Sequence, residues 1–147
     1  MSLTFGIETT RELFEKLKRD AAALKEEVSS DNFFNFVVTG YSMIDGVKND
    51  PTVPAKAKEK KVIDALYQEH WLKVCGDLAI AVKHFKLTSR NPITSSADSA
   101  QGFGVGRFGV GEESIEVTLN DGTSFNCLDL VQGVVNKWES FLSAYKI

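Results

Sequence analysis

The chain has 147 residues, of which 43% are hydrophobic and 25% are charged, and its formal net charge is -3. This composition is typical of one globular domain, and it excludes a disordered, fibrous or collagen-like chain. There is no apolar run of membrane-spanning length and no apolar signal core, so we expect no membrane partner. Because arginines and cysteines are few, we expect no broad basic nucleic-acid face and a reduced, cytoplasmic protein.

Apolar side chains at helical spacing predict four helices before residue 87. They cover about residues 10–28, 32–48, 55–67 and 68–86. Thr9 and Asp31 are predicted to cap the first two helices, and Pro54 suits the first turn of the third. Apolar residues surround most of the second helix, so we expect it to be the central one. A single helix from Ala55 to Leu87 is the less compact alternative to the third and fourth helices.

The pattern changes after the fourth helix, because Ser, Thr and Gly dominate residues 88–111 and helical spacing stops there. Residues 114–119 then alternate polar and apolar side chains, and Asp121-Gly122 separates them from a second short strand. Together these features indicate a β-hairpin. A further strand is predicted within 103–110. The whole insertion, at about 103–126, is too small to form a domain of its own.

The last predicted helix begins after Asn126. Asp129 stands three residues later, where its side chain can complete a capping box. The apolar stripe of this helix includes Trp138, which we expect to close a core formed by the second helix and by an apolar seam of the fourth helix. The members of this seam are Trp71, Cys75, Leu78, Val82 and Phe85. Because Cys75 lies on the seam, it is predicted to be a small buried hydrophobic residue and not a reactive thiol. These elements predict one mainly α domain over residues 5–147, an antiparallel bundle of four to five helices with the β-hairpin inserted before its last helix.

The fourth helix carries the side chains with most chemical potential. His70, Asp77 and His84 lie seven residues apart, and therefore share one stripe of the helix. Neighbours are about 10.5 Å apart along the axis, so one metal ion would need a ligand from another helix or subunit. We predict no metal and no cofactor. A single histidine suffices as a general acid or base near neutral pH. In the alternative without chemistry, both histidines lie at the surface and Asp77 forms a local salt bridge with Lys73.

Two other motifs favour plain structural interpretations. The glycines of residues 102–111 lack the preceding strand and following helix of a nucleotide-binding loop, and no Gly-Lys-Ser/Thr motif is present. They predict a flexible or β-edge loop instead. A basic run in the third helix contains Glu59, so it favours a solvated helix face over an RNA patch. Its members are Lys56, Lys58, Lys60 and Lys61.

Residues 75–85, Cys-Gly-Asp-Leu-Ala-Ile-Ala-Val-Lys-His-Phe, resemble a Cys-Arg-Asp-Ile-Ala-Asn-Gly-x-Lys-His-Phe segment of small bacterial helical proteins. Residues 33–41, followed by Asp45, are similar to the second helix of those proteins. Asp121-Gly122 and Trp138 are similar to their hairpin and last helix. These proteins in turn resemble the HEPN superfamily (higher eukaryotes and prokaryotes nucleotide-binding domains), so the resemblance covers nearly the whole chain.

The resemblance implies a HEPN-like bundle that forms a homodimer. Many HEPN proteins are metal-independent ribonucleases of toxin–antitoxin and phage-defence systems. Their active sites combine an Arg, the polar residue after it and a His several residues on, in two copies. His84 matches the His and Asp77 matches the polar residue, but Gly76 stands at the Arg position and Ile80 at the position resembling Asn. Lys83 is a candidate substitute for the missing positive charge.

The resemblance leaves two functions open. Glycine supplies no charge for a scissile phosphate, so we favour a binding or regulatory module with an incomplete nuclease site. Its partner would be RNA, a nucleotide or another protein, and the candidate binding residues are His70, Lys73 and Arg107. The alternative is an endoribonuclease with His84 as general acid/base, for which Arg90 and Arg107 are further candidate cations. A purely structural phage or mobile-element protein is a third interpretation.

Overall fold

The computed structural model describes residues 5–85, 91–101 and 113–147. Its elements, in chain order, are α1 (Thr10–Glu26), α2 (Ser30–Asn49), a 3₁₀ turn (Ala55–Lys58), α3 (Lys60–Gln68), α4 (His70–His84), β1 (Thr94–Gln101), β2 (Glu113–Leu119), β3 (Ser124–Asn126) and α5 (Cys127–Tyr145). The described part of the chain is mainly helical with a small antiparallel sheet, as predicted. None of its helices combines the length and the hydropathy that crossing a membrane requires.

The predicted starts of α1 and α5 are confirmed by their capping hydrogen bonds. The Thr9 hydroxyl accepts from the backbone N–H of Glu12 at 3.1 Å. At α5, the Asn126 side chain accepts from the Leu128 N–H at 2.9 Å, and Asp129 accepts from the Asn126 N–H at 3.2 Å. Each bond satisfies a backbone group that the first helical turn leaves without an intrahelical partner.

Two predicted boundaries are wrong in detail. The cap of α2 is Ser29, whose hydroxyl accepts from the Asn32 N–H at 3.1 Å, and Asp31 lies inside the first turn. An acidic side chain there still stabilises the positive end of the helix dipole. The predicted third helix is a 3₁₀ turn followed by a nine-residue helix, because the backbone is extended at Glu59. The predicted break before the fourth helix is confirmed at Glu69.

The sheet has the order β1-β2-β3, and both pairs are antiparallel. The predicted hairpin is its β2–β3 half, where Gly122 adopts the left-handed φ of +89° that the turn requires. β1 was not predicted, and it pairs with β2 in a register that sets Ala97 opposite Val117. The strand predicted within 103–110 lies outside the described residues.

The core forms where α2 packs against α1 and α4, with α5 and the inner side of β2 closing it. Trp138 is fully buried, as predicted, whereas Trp71 is only partly buried against Phe125. The predicted seam of α4 is correct at its centre but wrong at its end, because Phe85 is 94% exposed. Phe85 is the C-cap residue, and its left-handed backbone (φ 57°) directs its side chain away from the helical stripe.

A buried carboxylate joins the end of α2 to the start of α1. Asp50 accepts the Thr10 N–H at 2.7 Å, and the N–H and hydroxyl of Thr52 at 2.9 and 2.7 Å. Burial by itself raises the pKa of Asp50, but these hydrogen bonds outweigh it and lower the pKa to about 2. The Asp50 carboxylate therefore helps to hold the start of α1 against the end of α2.

Both cysteines are buried. Cys75 lies in the centre of α4, where burial raises the pKa of its thiol to about 12. Cys127 is the first residue of α5. Cys75 therefore serves as a small core residue and not as a reactive thiol, as the sequence predicts.

Candidate functional site

Asp77, the predicted polar catalytic residue, lies in the interior. Its side chain is 0% exposed, and Oδ2 accepts the backbone N–H groups of Ile93 and Thr94 at 2.9 and 3.1 Å. These bonds hold the entry of β1 against the middle of α4. The alternative interpretation, a local salt bridge with Lys73, does not account for these contacts, because the helix presents Asp77 to the sheet and not to solvent.

His84 and Lys83, unlike Asp77, lie at the protein surface. Both are exposed in the last turn of α4. Two helical turns, about 10.5 Å along the axis, separate His84 from Asp77. The structure therefore does not bring the three predicted catalytic residues together: two face solvent and one faces the core. Gly76, at the position of the family's Arg, lies in the buried part of α4.

The predicted binding residues are also dispersed. His70 is exposed at the start of α4 and packs edge-on against Trp71, with ring centroids 5.1 Å apart. Its distance from His84 along the helix is about 21 Å at 1.5 Å per residue. Lys73 is partly buried one turn after His70. Arg107, like Arg90, lies outside the described residues.

His70 faces the turn between β2 and β3. Hydrogen bonds from the hydroxyl and the N–H of Thr123 lower the pKa of Asp121 in this turn, and the positive charge of His70 contributes a smaller lowering. The described residues contain no group of three or more His, Cys, Asp or Glu side chains arranged to hold a metal ion. The histidine end of α4 thus has one weak charge contact and no assembled set of ligands among these residues.

An apolar groove lies beside His84, and the sequence did not predict it. This groove, here called the Phe85 groove, has a volume of about 660 Å³ and runs between α4, the start of β1 and the first turns of α2. It is lined by Phe34, Leu78, Ala81, Val82, Phe85, Thr94, Ser95, Ser96 and Ala97. A smaller cavity of about 160 Å³ continues it under the sheet as far as Val37 and Ile115.

Two aromatic side chains make this groove unusual. Phe85 is 94% exposed and Phe34 is 44% exposed, although both belong to the folded bundle. Exposed aromatic side chains that share one concave apolar surface mark interaction sites more often than scattered ones do. Sequence reasoning missed this groove because the predicted seam of the fourth helix placed Phe85 in the core.

Charged side chains of both signs are sequence neighbours of residues that line the Phe85 groove. Lys83 and His84 are exposed and immediately precede Phe85 at the end of α4. Asp31 is exposed one turn before Phe34 on α2, and Asp98 is exposed next to Ala97 on β1. None of these four side chains lines the groove itself, and Asp98, as the strand neighbour of Ala97, points to the opposite face of the sheet.

Comparison of the chain with protein-family models, with curated proteins and with solved structures gave no match in any of the three.

Proposed function

We propose that this chain is a HEPN-like binding module that assembles as a homodimer and does not cleave RNA. The observation that carries the proposal is the burial of Asp77, whose carboxylate oxygen is engaged by two backbone N–H groups of the sheet. The resemblance of residues 75–85 to the HEPN-like segment supports the family, and five helices with a hairpin before the last one are compatible with it.

Metal-independent RNA cleavage needs a positioned acid or base together with a positive charge on the scissile phosphate. His84 is accessible to a substrate, but Gly76 provides no cation and Asp77 cannot reach solvent without detaching β1. The accessible chemistry beside His84 is instead apolar, in the Phe85 groove. Of RNA, a nucleotide and a protein, this lining favours a protein partner.

A second copy of this chain is the occupant that the groove fits best. β1 is an edge of the described sheet. Beyond the irregular register between Thr94 and Ser96, its eight residues include one charged side chain and no proline or lysine, so little opposes strand pairing over residues 96–101. Antiparallel pairing of β1 with its copy is two-fold symmetric.

The nuclease part of the proposal is tested by incubating the purified protein and its His84→Ala variant with structured and single-stranded RNA in EDTA. We expect no cleavage above a buffer control from either protein. Cleavage by the parent that the His84→Ala variant loses would overturn the proposal and establish the endoribonuclease, with a cation from elsewhere in the dimer replacing the family's Arg.

The dimer is tested by the mass of the protein in analytical ultracentrifugation over a range of concentrations. We expect a dimer that Phe85→Ser and Phe34→Ser convert to monomer, because both variants remove apolar area from the centre of the interface. Phe5→Ser is the matched control, since Phe5 is equally exposed but does not line the groove. A parent protein that is monomeric at every concentration would refute the homodimer.

A further inference from the structure

A second apolar groove lies between α3 and α5. We call it the α3–α5 groove, and its volume is about 480 Å³. It is lined by Lys61, Val62, Ala65 and Leu66 of α3 and by Lys137, Ser140, Phe141, Ala144 and Tyr145 of α5. None of these residues lines the Phe85 groove.

The shape of the α3–α5 groove suits a third helix. Both α3 and α5 pack against α4, and the groove is the space left between them. Its floor is formed by side chains such as Leu66 and Phe141, and Ala65 and Ala144 are exposed at its sides. Small side chains on two neighbouring helices let a third helix approach closely, with apolar residues at every third or fourth position entering the floor.

The two lysines of the lining favour a partner with acidic side chains. Lys61 and Lys137 are the charged side chains that line the groove, one on each helix. Lys61 is 83% exposed, and its ammonium lies 3.7 Å from Glu59, a pairing that solvent screens strongly. A second copy of the chain is disfavoured here, because a two-fold axis through the groove would oppose lysine to lysine. The largely apolar lining also disfavours RNA.

We infer that the α3–α5 groove binds an amphipathic α-helix of a protein partner, with acidic side chains flanking its apolar face. The inference rests on the proposed binding function but not on dimerisation. Carboxylates at the edges of the bound helix would face Lys61 and Lys137, and its leucine-like face would cover Leu66 and Phe141. Such a groove selects its partner by charge at the rim and binds it by apolar contact at the floor.

The test measures fluorescence anisotropy with a labelled peptide of about 15 residues that has leucines at helical spacing and glutamates beside them. A control peptide keeps the leucines and replaces each glutamate by lysine. We expect the glutamate peptide to bind at least about tenfold more tightly than the lysine peptide. In the Lys61→Glu/Lys137→Glu variant we expect this order to reverse. Ala144→Trp, which fills the groove from an exposed position, should abolish binding of both.

Several outcomes would overturn the inference. These are no measurable binding of the glutamate peptide, equal binding of both peptides, or binding that the charge-reversal and Ala144→Trp variants leave unchanged while circular dichroism shows them folded. Displacement of the peptide by single-stranded RNA at comparable concentration would reassign the groove to nucleic acid. Phe85→Ser should still bind the peptide, so failure of the dimer and failure of this groove are separable.

Discussion

A single carboxylate shows how one residue type can suggest chemistry and perform a structural role instead. On α4, Asp77 has the sequence neighbours of a catalytic position. In the fold it lies against the first residues of β1, where two N–H groups converge on one oxygen. Hydrogen bonds of this kind offset the cost of burying a polar group, and they replace the backbone partners that a strand entry otherwise lacks.

We expect Asp77→Ala to lower the free energy of unfolding by about 3 kcal/mol, because it leaves two backbone N–H groups without their acceptor. Asp77→Asn should cost roughly half as much, since the amide oxygen can still accept. Urea unfolding measures both. Asp98→Ala, an exposed carboxylate on the same strand, is the control and should stay within about 0.5 kcal/mol of the parent. An Asp77→Ala protein as stable as the parent would show that Asp77 does not anchor β1.

Residue patterns predict the caps Thr9 and Asn126 and the burial of Trp138 correctly, because these features depend on local spacing and on strong apolar periodicity. The same patterns fail for Phe85, which has the right spacing for the core. Its exposure depends on where the helix ends and on the sign of φ at its C-cap, and one aromatic residue among charged neighbours gives no signal for either. The separation of His84 from Asp77 follows from their spacing on the helix, but the burial of Asp77 depends on the sheet that covers it, which is a tertiary fact.

At the scale of elements, β1 is the clearest case of structure that the sequence does not encode locally. Its residues, Thr-Ser-Ser-Ala-Asp-Ser-Ala-Gln, have low strand propensity and no clear alternation. Their extended conformation depends on pairing with β2 and on the bonds to Asp77. Helices are predicted better, because each carries its own periodicity, although the break at Glu59 between the 3₁₀ turn and α3 was missed.

The contact between α4 and α5 is close enough to require glycine. A β-carbon at Gly133 would overlap the ring of Trp71, whereas one at Gly46 in α2 would lie at an ordinary 3.4 Å from Leu13. We expect Gly133→Ala to destabilise the fold by about 1–3 kcal/mol through overpacking. Gly46→Ala should be neutral or stabilising by up to about 1 kcal/mol, because alanine is the better helix former. Thermal or urea unfolding compares the two, and equal effects would contradict the close α4–α5 packing.

At the scale of the whole molecule, the helical bundle depends on the ionised form of Asp50. Its pKa is about 2 in the fold against an ordinary value of 3.8. A carboxyl with a lowered folded pKa stabilises the protein above its unfolded pKa, and this contribution is lost as the pH falls through the folded value. The shift corresponds to about 2 kcal/mol.

We therefore expect Asp50→Asn to be about 2 kcal/mol less stable than the parent at pH 6, with a difference that shrinks as the pH falls from about 4 to 2. Urea unfolding of both proteins across this range provides the measurement. A difference that stays constant down to pH 2 would mean that Asp50 stabilises the bundle by shape and not by charge.

The two buried thiols make the opening of the fold measurable by chemical modification. The thiolate is the nucleophile that attacks a maleimide or disulfide reagent, and burial, which raises the pKa of Cys75 to about 12, makes its thiolate scarce in the folded protein. Where the reagent modifies an opened thiol faster than the chain recloses, the rate of modification therefore equals the rate of opening. Variants that keep a single cysteine would measure the two opening rates separately. Cys75 reports the opening of α4, and Cys127 reports the opening of the first turn of α5. If both sites react at one common rate, the bundle opens as a unit; if Cys127 reacts first, the closing helix departs before the rest.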